Sequence, residues 1–324
     1  MNVFIVTSPF QYICANEARL AYNSKDNTLI LIEQDNPAGI QQMAAILQED
    51  NWDSVLRFPR NKRTTTIPKI IKSITAITAI SNNALDTLFY SEYNAWRTKL
   101  LMRNLSFKKH VFFDDGTMTF ADYYDHIEPK KIYHRSRWFQ DSLLRLQGIQ
   151  PIGEIGLFKN TELFSIFSFP NCILKYKENK LLTLQLAAEE KRDEHQINDI
   201  FIGQGCIDEK GHASLNEYLT QIEQASRKSS LNLLYIPHRT EAAHVTQAIK
   251  KLANIRYHQP QYPIEIELIK TGIQPNCIFG LSSTALYTLS KIYPNSSIQL
   301  IEQPEHMSKS VNRVQKYLHD YFLK

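Results

Sequence analysis

The sequence lacks paired cysteines, long apolar runs and a strong net charge. Its four cysteines (Cys14, Cys172, Cys206 and Cys277) lie far apart, which disfavours a zinc ribbon or thioredoxin-type site and is typical of a reducing compartment. No stretch approaches about 18 uninterrupted apolar residues, so we expect no membrane-spanning helix. The N-terminus has no basic or long apolar region, so we expect no signal peptide. We expect a cytoplasmic protein and leave open contact with the inner face of the inner membrane.

Several motifs that hold cofactors or metals are also missing. No G-x-G-x-x-G follows the first predicted strand, and G-x-x-x-x-G-K-[ST], H-E-x-x-H and Asp-x-Asp do not occur. These absences disfavour dinucleotide oxidoreductases, P-loop enzymes and metal-dependent transferases of the single-domain kind. We therefore expect neither a metal ion nor a bound cofactor.

What the sequence contains is an alternation of short apolar runs with longer amphipathic segments, over 324 residues. Near-continuous apolar strands separated by helices predict parallel sheets in α/β domains. A first series has strands at 3–6, 28–32, 55–58, 87–90 and 110–113, with helices up to about residue 22 and over 38–49, 64–80 and 92–104. A second series has strands at 199–202, 231–236, 277–280 and 297–301, with helices over 213–228, 240–252, 263–270, 283–291 and 307–322.

A charged segment separates the two series. Residues 189–194 read EEKRDE, which makes them the best candidate for a linker. We therefore predict two Rossmann-like α/β domains, residues 1–190 and 191–324, that face a cleft. The last helix is free to pack back on the first domain.

The first candidate motif closes the fifth strand. Asp114, Asp115 and Gly116 follow the apolar run, and carboxylates at the carboxyl end of a parallel strand lie where α/β proteins bind ligands. A plain turn is the alternative, because Asp-Gly suits turns for backbone reasons alone.

The second motif follows the first strand of the second series. Gly203 and Gly205 let backbone N–H groups approach a phosphate or a ribose closely. Asp208 or Glu209 could act there as a general base. The alternative is an exposed strand–helix loop.

The third motif is Pro237-His238-Arg239, directly after an apolar strand. His238 can give a proton or a hydrogen bond to a leaving phosphate, and Arg239 adds positive charge. A capping or packing histidine is the alternative, because the chain has 10 histidines.

The fourth motif leads from Gly280 through Ser282 and Ser283 to Thr284 at a helix start. Hydroxyl groups on the positive end of a helix make an anion site, although Ser and Thr also serve simply as N-caps. Upstream, Glu265 begins a short helix, where its carboxylate can accept from ribose hydroxyls or complement the helix dipole.

Each signal is modest, but their order describes a nucleotide-sugar site in the second domain of a two-domain transferase. At these residues the chain resembles bacterial sialyltransferases, most closely the lipooligosaccharide sialyltransferase family (glycosyltransferase family 52). The matching segments are 113–117, 202–204 with Asp208, 235–239, 264–265 and 279–286, and residues 7–11 resemble the family's first strand–helix turn.

The resemblance implies the GT-B fold and an inverting, metal-independent enzyme. It implies transfer of a nonulosonic (sialic) acid from CMP-sialic acid to a terminal sugar, galactose foremost, of a surface glycan such as lipooligosaccharide or capsule. Asp208 would be the general base and His238 the general acid. The second domain would bind the donor through Gly203, Gln204, Pro237, Arg239, Glu265, Gly280, Ser282, Ser283 and Thr284. The first domain would bind the acceptor through Gln11, Asp114, Asp115 and Gly116.

Other bases and other functions stay open. The loop after Gly203 is longer than in the tightest versions of the family, which makes Glu209 a rival base. A related family takes its base from the Asp-Asp-Gly motif, which makes Asp115 and then Asp114 rivals. Another CMP-nonulosonate or a nucleotide-hexose donor is the alternative within the same fold, and a non-catalytic glycan-binding module is the alternative outside catalysis.

Two basic segments indicate which partners the protein could bind. Both could face anionic lipids or a phosphorylated glycolipid, or could be solvated helix faces. They comprise Arg57, Arg60, Lys62, Arg63, Lys69 and Lys72, and then Lys130, Lys131, His134, Arg135, Arg137 and Trp138. With a net charge of only +4 and no nucleic-acid motif, we expect a CMP-sugar donor and a glycan or glycolipid acceptor, and no nucleic acid. A homodimer stays open.

Overall fold

The two predicted series of strands form two separate parallel sheets. The computed structural model describes residues 1–61, 63–81, 84–192, 197–209 and 213–301, with residues 317 and 321. The chain divides into unit 1, Met1–Lys180, and unit 2, Leu181–Lys324. Lys62, the end of the charged linker and almost all of the helix predicted over 307–322 lie outside the described residues.

Unit 1 is built on a seven-stranded parallel sheet. Its strands are β1 (Asn2–Val6), β2 (Asn27–Glu33), β3 (Ser54–Pro59), β4 (Thr87–Tyr90), β5 (Lys109–Phe113), β8 (Thr161–Ser165) and β9 (Lys175–Glu178), while β6 (Tyr133–Arg135) and β7 (Gly153–Ile155) form an antiparallel pair. The order in the sheet is β3-β2-β1-β4-β5-β8-β9. Its helices are α1 (Pro9–Ala21), α2 (Pro37–Ile46), α3 (Arg63–Ser81), α4 (Trp96–Asn104), α5 (Met118–Asp122) and α6 (Trp138–Leu146), with a 3₁₀ turn at Glu49–Asn51 and a π-helical turn at Tyr123–Ile127.

Local sequence explains where these elements begin. Ser8 caps α1 by accepting a hydrogen bond from the backbone of Gln11 at 3.3 Å, with proline as the first helical residue. The helix predicted from residue 92 begins only at Trp96, because residues 91–95 form a bend and a turn after β4. At the centre of the sheet, Phe4 of β1 stacks on Phe89 of β4 with ring centroids 4.0 Å apart. This buried cross-strand pair stabilises the contact between the two neighbouring strands.

Unit 2 is built on a five-stranded parallel sheet. Its strands are β10 (Ile197–Ile202), β11 (Leu233–Ile236), β12 (Ile255–Tyr257), β13 (Gln274–Gly280) and β14 (Ser297–Leu300), and its helices are α7 (Leu182–Glu190), α8 (Leu215–Lys228), α9 (Ala243–Ile249), α10 (Ile264–Thr271) and α11 (Thr284–Ile292). The order is β12-β11-β10-β13-β14. Helix α8 begins at a capping box of Ser214 and Glu217 and buries Tyr218 and Ile222 in the core of the unit.

The division between the units lies ten residues before the predicted one. The charges of residues 189–194 suggested a linker, but α7 runs to Glu190 and belongs to unit 2. It packs against α10 and α11, and Gln185 Nε2 donates to the Lys291 carbonyl at 3.1 Å. Helix α7 therefore packs on unit 2, with Ala188 buried. Among the described residues, none of the helices has the length and hydropathy needed to cross a membrane.

Candidate active site

Three of the predicted motifs meet at one edge of the unit 2 sheet. Strand β10 lies between β11 and β13 and is parallel to both. Ile202, its last residue, is level with Ile236 of β11 and with Gly280 of β13. Because the three strands end together, the loops that follow them emerge side by side at the carboxyl edge, where α/β sheets bind ligands.

The two glycines of the second motif allow the β10 loop to lie against the β11 loop. The Gly203 N–H donates to the Ile236 carbonyl at 2.8 Å, and a Cβ on Gly203 would lie 2.6 Å from the Tyr235 hydroxyl. A Cβ on Gly205 would lie 2.6 Å from Thr240 Oγ1 and 2.9 Å from His238 Nδ1. The sequence predicts that these glycines admit a phosphate or a ribose, whereas the close neighbours in the structure are atoms of β11 and of the loop that follows it.

The imidazole of His238 is held in one tautomer. Its Nδ1 accepts from the Thr240 backbone N–H at 3.2 Å and lies 2.7 Å from the Thr240 hydroxyl, so the proton of the neutral ring is on Nε2. The ring reaches the protein surface, yet burial of its inner side, together with the Arg239 charge, lowers the pKa of His238 to about 4. At neutral pH the side chain is thus an uncharged hydrogen-bond donor.

The loop that carries Asp208 is strained. Cys206 and Asp208 both adopt left-handed backbone conformations, with φ of 62° and 70°, and non-glycine residues in this region cluster at functional sites. The Asp208 carboxylate is 49% exposed and lies 3.6 Å from His244 Nε2 of α9. It also accepts from the Leu215 N–H at 3.4 Å, at the start of α8. Glu209 is exposed and lies beside the Cys206 thiol.

Glu265 joins two helices of unit 2 and is within electrostatic reach of Arg239 of the third motif. Glu265 Oε1 accepts from Thr288 Oγ1 at 2.9 Å, which joins α10 to α11. Burial raises the pKa of Glu265, and the Thr288 hydrogen bond and the Arg239 charge oppose that shift. The structure therefore places the predicted ribose acceptor in a buried position near the guanidinium, with one oxygen already bonded within the unit.

The hydroxyl residues of the fourth motif lie at the start of α11. Ser283 is the N-cap and accepts from the Leu286 N–H at 3.2 Å, so its own hydroxyl proton can be donated elsewhere. Ser282 and Thr284 are half-buried on either side. A Cβ on Gly280 would lie 3.1 Å from Leu286 Cδ1, so the glycine lets α11 pack closely on the end of β13. The site thus combines a helix N-terminus with adjacent hydroxyl groups.

A buried tyrosine network beneath this edge was not predicted. The Tyr218 hydroxyl accepts from the Gln204 N–H at 3.1 Å and lies 3.0 Å from the Tyr235 hydroxyl. Tyr235 in turn donates to Glu241, which also accepts from Tyr257 at 3.0 Å. These tyrosines read in the sequence as ordinary core residues, yet together they fix the backbone of Gln204. His244 was also missed, because it is one of ten histidines and belongs to no motif.

In unit 1 the structure joins the first motif to the opening turn. Gln11 Nε2 donates to Asp115 Oδ1 at 2.7 Å, and Gln11 Oε1 accepts from the backbone and hydroxyl of Thr7. Gly116 has a φ of 59° and closes the turn before α5. Gln11, Asp115 and Gly116 therefore lie together at the carboxyl edge of the unit 1 sheet.

Asp114, in contrast, points into the core. It is fully buried and accepts from the Ser165 hydroxyl at 2.5 Å and from the Ile166 N–H at 2.7 Å. Burial raises the pKa of Asp114 to about 7, with the hydrogen bonds opposing the shift. A carboxylate in this position holds β5 to the end of β8. This geometry argues against Asp114 as an acceptor ligand or base and leaves Asp115 as the candidate of the pair.

Asp122 lies within electrostatic reach of Asp115, and Lys99 within reach of Asp122. Asp122 accepts from the Asn94 N–H at 3.4 Å, and burial, with a contribution from the Asp115 charge, raises its pKa to about 6. Lys99 is buried with its Nζ 3.3 Å from the centre of the Tyr93 ring, and burial lowers its pKa to about 7. The sequence pointed to neither residue, because both lie within helices without a motif. No cluster of His, Cys, Asp and Glu that could hold a metal ion occurs in the described parts of the chain.

Several solved structures are similar to this chain. An alpha/beta-galactoside alpha-2,3-sialyltransferase from Photobacterium phosphoreum is 16% identical, with a TM-score of 0.56 over 100% of this chain and 95% of that one. The GT-B domain of a sialyltransferase from Photobacterium damselae is 12% identical, with a TM-score of 0.54 over 99% and 96%. A UDP-GlcNAc 2-epimerase from Neisseria meningitidis is 11% identical, with a TM-score of 0.53 over 99% and 90%. No match is found among proteins of curated function.

The fold is thus the predicted α/β fold of the GT-B class, and the protein is a glycosyltransferase of the sialyltransferase type. The family described as Alpha-2,8-polysialyltransferase (POLYST) matches residues 2–302. The chain belongs to this family. The prediction of an enzyme is confirmed, and a non-catalytic glycan-binding module is set aside.

Proposed function

We propose that the protein transfers a nonulosonic (sialic) acid from CMP-sialic acid to a terminal sugar of a surface glycan, with inversion and without a metal ion. The observation that carries the proposal is the meeting of the Gly203 loop, His238 and Ser283 at one sheet edge in a chain of a sialyltransferase family. The finer likeness to glycosyltransferase family 52 remains part of this proposal.

The proposed reaction needs little covalent help from the protein. The bond from the anomeric carbon to the CMP phosphate oxygen breaks, and an acceptor hydroxyl oxygen forms the new bond after giving its proton to a base. Negative charge builds on the leaving phosphate, where preorganised donors stabilise it. His238 Nε2–H, the Ser283 hydroxyl and the N-terminal end of α11 are suitable donors.

The neutral state of His238 defines its part in this scheme. With a pKa of about 4 in the free protein, it would bind the phosphate first as a hydrogen-bond donor. The phosphate charge would then favour the imidazolium and raise that pKa, which prepares the ring to protonate the leaving group. The proton that forms the imidazolium would be added at Nδ1, which would then donate to the Thr240 hydroxyl instead of accepting from the Thr240 N–H, and the proton on Nε2 would pass to the leaving phosphate.

Asp208 remains the proposed base and Asp115 its rival. Asp208 is partly exposed and lies on a strained loop next to His244, which is a position open to a substrate hydroxyl. Asp115 is ordered by Gln11 on unit 1, the unit proposed to bind the acceptor. Substituting each of the two carboxylates in turn shows which one is the general base.

The acceptor is either a galactoside or a sialic acid. The sequence resemblance favoured galactose, whereas the family description names an alpha-2,8 linkage, which implies a sialic acid acceptor. We propose a terminal sugar of lipooligosaccharide or capsule and test both acceptors. Another CMP-nonulosonate or a nucleotide-hexose remains the alternative donor.

The decisive experiment measures CMP release from CMP-N-acetylneuraminic acid in EDTA, without acceptor, with lactose, and with an alpha-2,8-linked sialic acid oligomer. CMP binding is measured separately by calorimetry. We expect acceptor-stimulated release that falls by roughly 10²–10³ in His238→Ala and collapses in Asp208→Asn but not in the neighbouring Glu209→Gln. NMR of the product anomer tests inversion. CMP binding without release would indicate another donor sugar, and no CMP binding would overturn the nucleotide site.

A further inference from the structure

One amphipathic helix of unit 1 presents its apolar face to solvent. Helix α6 has the sequence WFQDSLLRL, and successive residues of an α-helix are about 100° apart. Its large apolar side chains, apart from Leu144, fall on one arc of the helix, and we call this arc the α6 apolar face: Trp138, Phe139, Leu143 and Leu146. Trp138 is 79% exposed, Phe139 61% and Leu146 83%.

The opposite side of α6 faces the protein. Leu144 is buried there, and Gln140 and Asp141 are half-buried. The Asp141 carboxylate accepts from the Arg137 N–H at 3.2 Å at the start of the helix. A surface helix ordinarily buries its apolar stripe and exposes its polar one, whereas α6 does the reverse. The fold of unit 1 therefore gives no reason for four large apolar side chains on this face.

The segment around α6 is also strongly basic. Residues 129–147 contain five Lys or Arg and one acidic residue. Lys130, Lys131, Arg137 and Arg145 are all exposed. An apolar face with Trp, Phe and Leu, flanked by cationic side chains, is the composition of helices that lie in the headgroup region of a membrane. The cationic groups contribute where the lipids are anionic.

We propose that the α6 apolar face binds a bilayer containing anionic lipids. Trp138, Phe139 and Leu146 would enter the boundary between headgroups and acyl chains, and Arg137 and Arg145 would contact lipid phosphates. The indole suits this boundary because it is amphipathic. The surrounding positive charge favours an anionic lipid surface over a second copy of this basic face, which would repel it. The proposal does not depend on the donor or acceptor of the transferase.

The test is co-sedimentation of the full chain with vesicles of phosphatidylcholine alone and of phosphatidylcholine with phosphatidylglycerol. We expect binding to the anionic vesicles that falls at least about tenfold in Trp138→Ser/Leu146→Ser, and also falls in Arg137→Glu/Arg145→Glu. The matched control is Leu182→Ser/Leu186→Ser, which removes two exposed leucines from α7 and should bind like the unchanged protein. Added salt should weaken binding.

Trp138 also supplies a spectroscopic readout. Of the three tryptophans, Trp52 is buried and Trp96 half-buried, so a blue shift of fluorescence on adding anionic vesicles should disappear in Trp138→Phe. CMP release with a small soluble acceptor should be unchanged in all these variants. A failure of membrane binding can therefore be distinguished from a failure of the proposed transferase activity. Equal vesicle binding by the unchanged protein and Trp138→Ser/Leu146→Ser would overturn the proposal. The proposal would also be overturned if the unchanged protein did not bind vesicles and instead formed a dimer that Trp138→Ser/Leu146→Ser dissociates.

Discussion

Gln11 and Asp115 are 104 positions apart in the sequence and are joined by a hydrogen bond of 2.7 Å. Both ends of the Gln11 amide are hydrogen-bonded, because its oxygen accepts from Thr7 while its nitrogen donates to Asp115. The orientation of the amide is thereby fixed, and it presents a donor to the carboxylate. Such a donor favours the charged form of a carboxyl group and holds it in one position.

The first prediction uses this pair to assign the base. Gln11→Glu keeps the acceptor for Thr7 but replaces the donor to Asp115 with a like charge, which should raise the pKa of Asp115. If Asp208 is the base, as we propose, the acidic limb of the kcat/KM–pH profile stays in place while the KM for the acceptor rises. An acidic limb that moves to higher pH would assign the base to Asp115. Gln11→Met, close in shape but without the added charge, is the control.

The second prediction concerns the contact between Gly205 and His238. In Gly205→Ala the new methyl group would lie 2.9 Å from His238 Nδ1 and 2.6 Å from Thr240 Oγ1, so the imidazole must move. We expect kcat to fall by about tenfold or more, because displacement of a positioned donor weakens stabilisation of the leaving phosphate. Gly156→Ala, where a Cβ meets nothing within 4 Å, is the matched control. Unchanged kcat in Gly205→Ala with the same CMP affinity would remove His238 from the proposed mechanism.

The third prediction is the titration of His238 itself. Nitrogen NMR of the imidazole should show the Nε2–H tautomer at neutral pH and protonation only near pH 4 in the free protein. Because the folded pKa is lowered, the neutral ring stabilises the protein above the ordinary pKa of about 6.5, and that contribution is lost as pH falls towards 4. Addition of CMP should raise the pKa. A signal that titrates near pH 6.5 without CMP would contradict the inferred environment.

The sequence predicted most of the strands that are buried on both faces. Strand β8 was missed although all five of its residues are buried, because it reads TELFS and polar residues interrupt its apolar run. The runs of β1, β2, β4, β5 and β10 are apolar because helices cover both faces of a parallel sheet. Strand β9 reads KYKE and is exposed throughout, so it carries no apolar signal and was missed. Helix α6 was missed for a related reason, because its apolar side does not face the core.

The candidate site could be predicted in part for the same physical reason. Residues that follow buried strands in sequence must meet at the carboxyl edge of a parallel sheet, which is why Gly203, His238 and Ser283 were found together. What a pattern of residue types does not contain is the direction of each side chain. Asp114 and Asp115 are adjacent, yet one is buried against Ser165 and the other lies beside Gln11.

The last prediction follows from the burial of Asp114. Burial raises its pKa to about 7, above an unfolded value of about 3.9, so the folded state retains this proton over that interval. Its contribution to stability is therefore fully present below about pH 4 and is lost as pH rises towards 7, by an amount on the order of 4 kcal/mol. Asn at this position is neutral at every pH. The free energy of unfolding of the unchanged protein relative to Asp114→Asn should thus fall between about pH 4 and pH 7.

Urea unfolding between about pH 4 and pH 7 measures the free energy of unfolding of the unchanged protein and of Asp114→Asn, and the difference between the two is the quantity predicted. Ser165→Ala removes a hydrogen bond that lowers the pKa of Asp114, so it should extend the pH dependence to higher pH. Because Asp114 faces the core and not a substrate, Asp114→Asn should retain most of the kcat in protein that remains folded. A constant stability difference across the range would show that Asp114 ionises as an exposed carboxyl group does. A loss of kcat in folded Asp114→Asn comparable to that of His238→Ala would return Asp114 to the candidate catalytic residues.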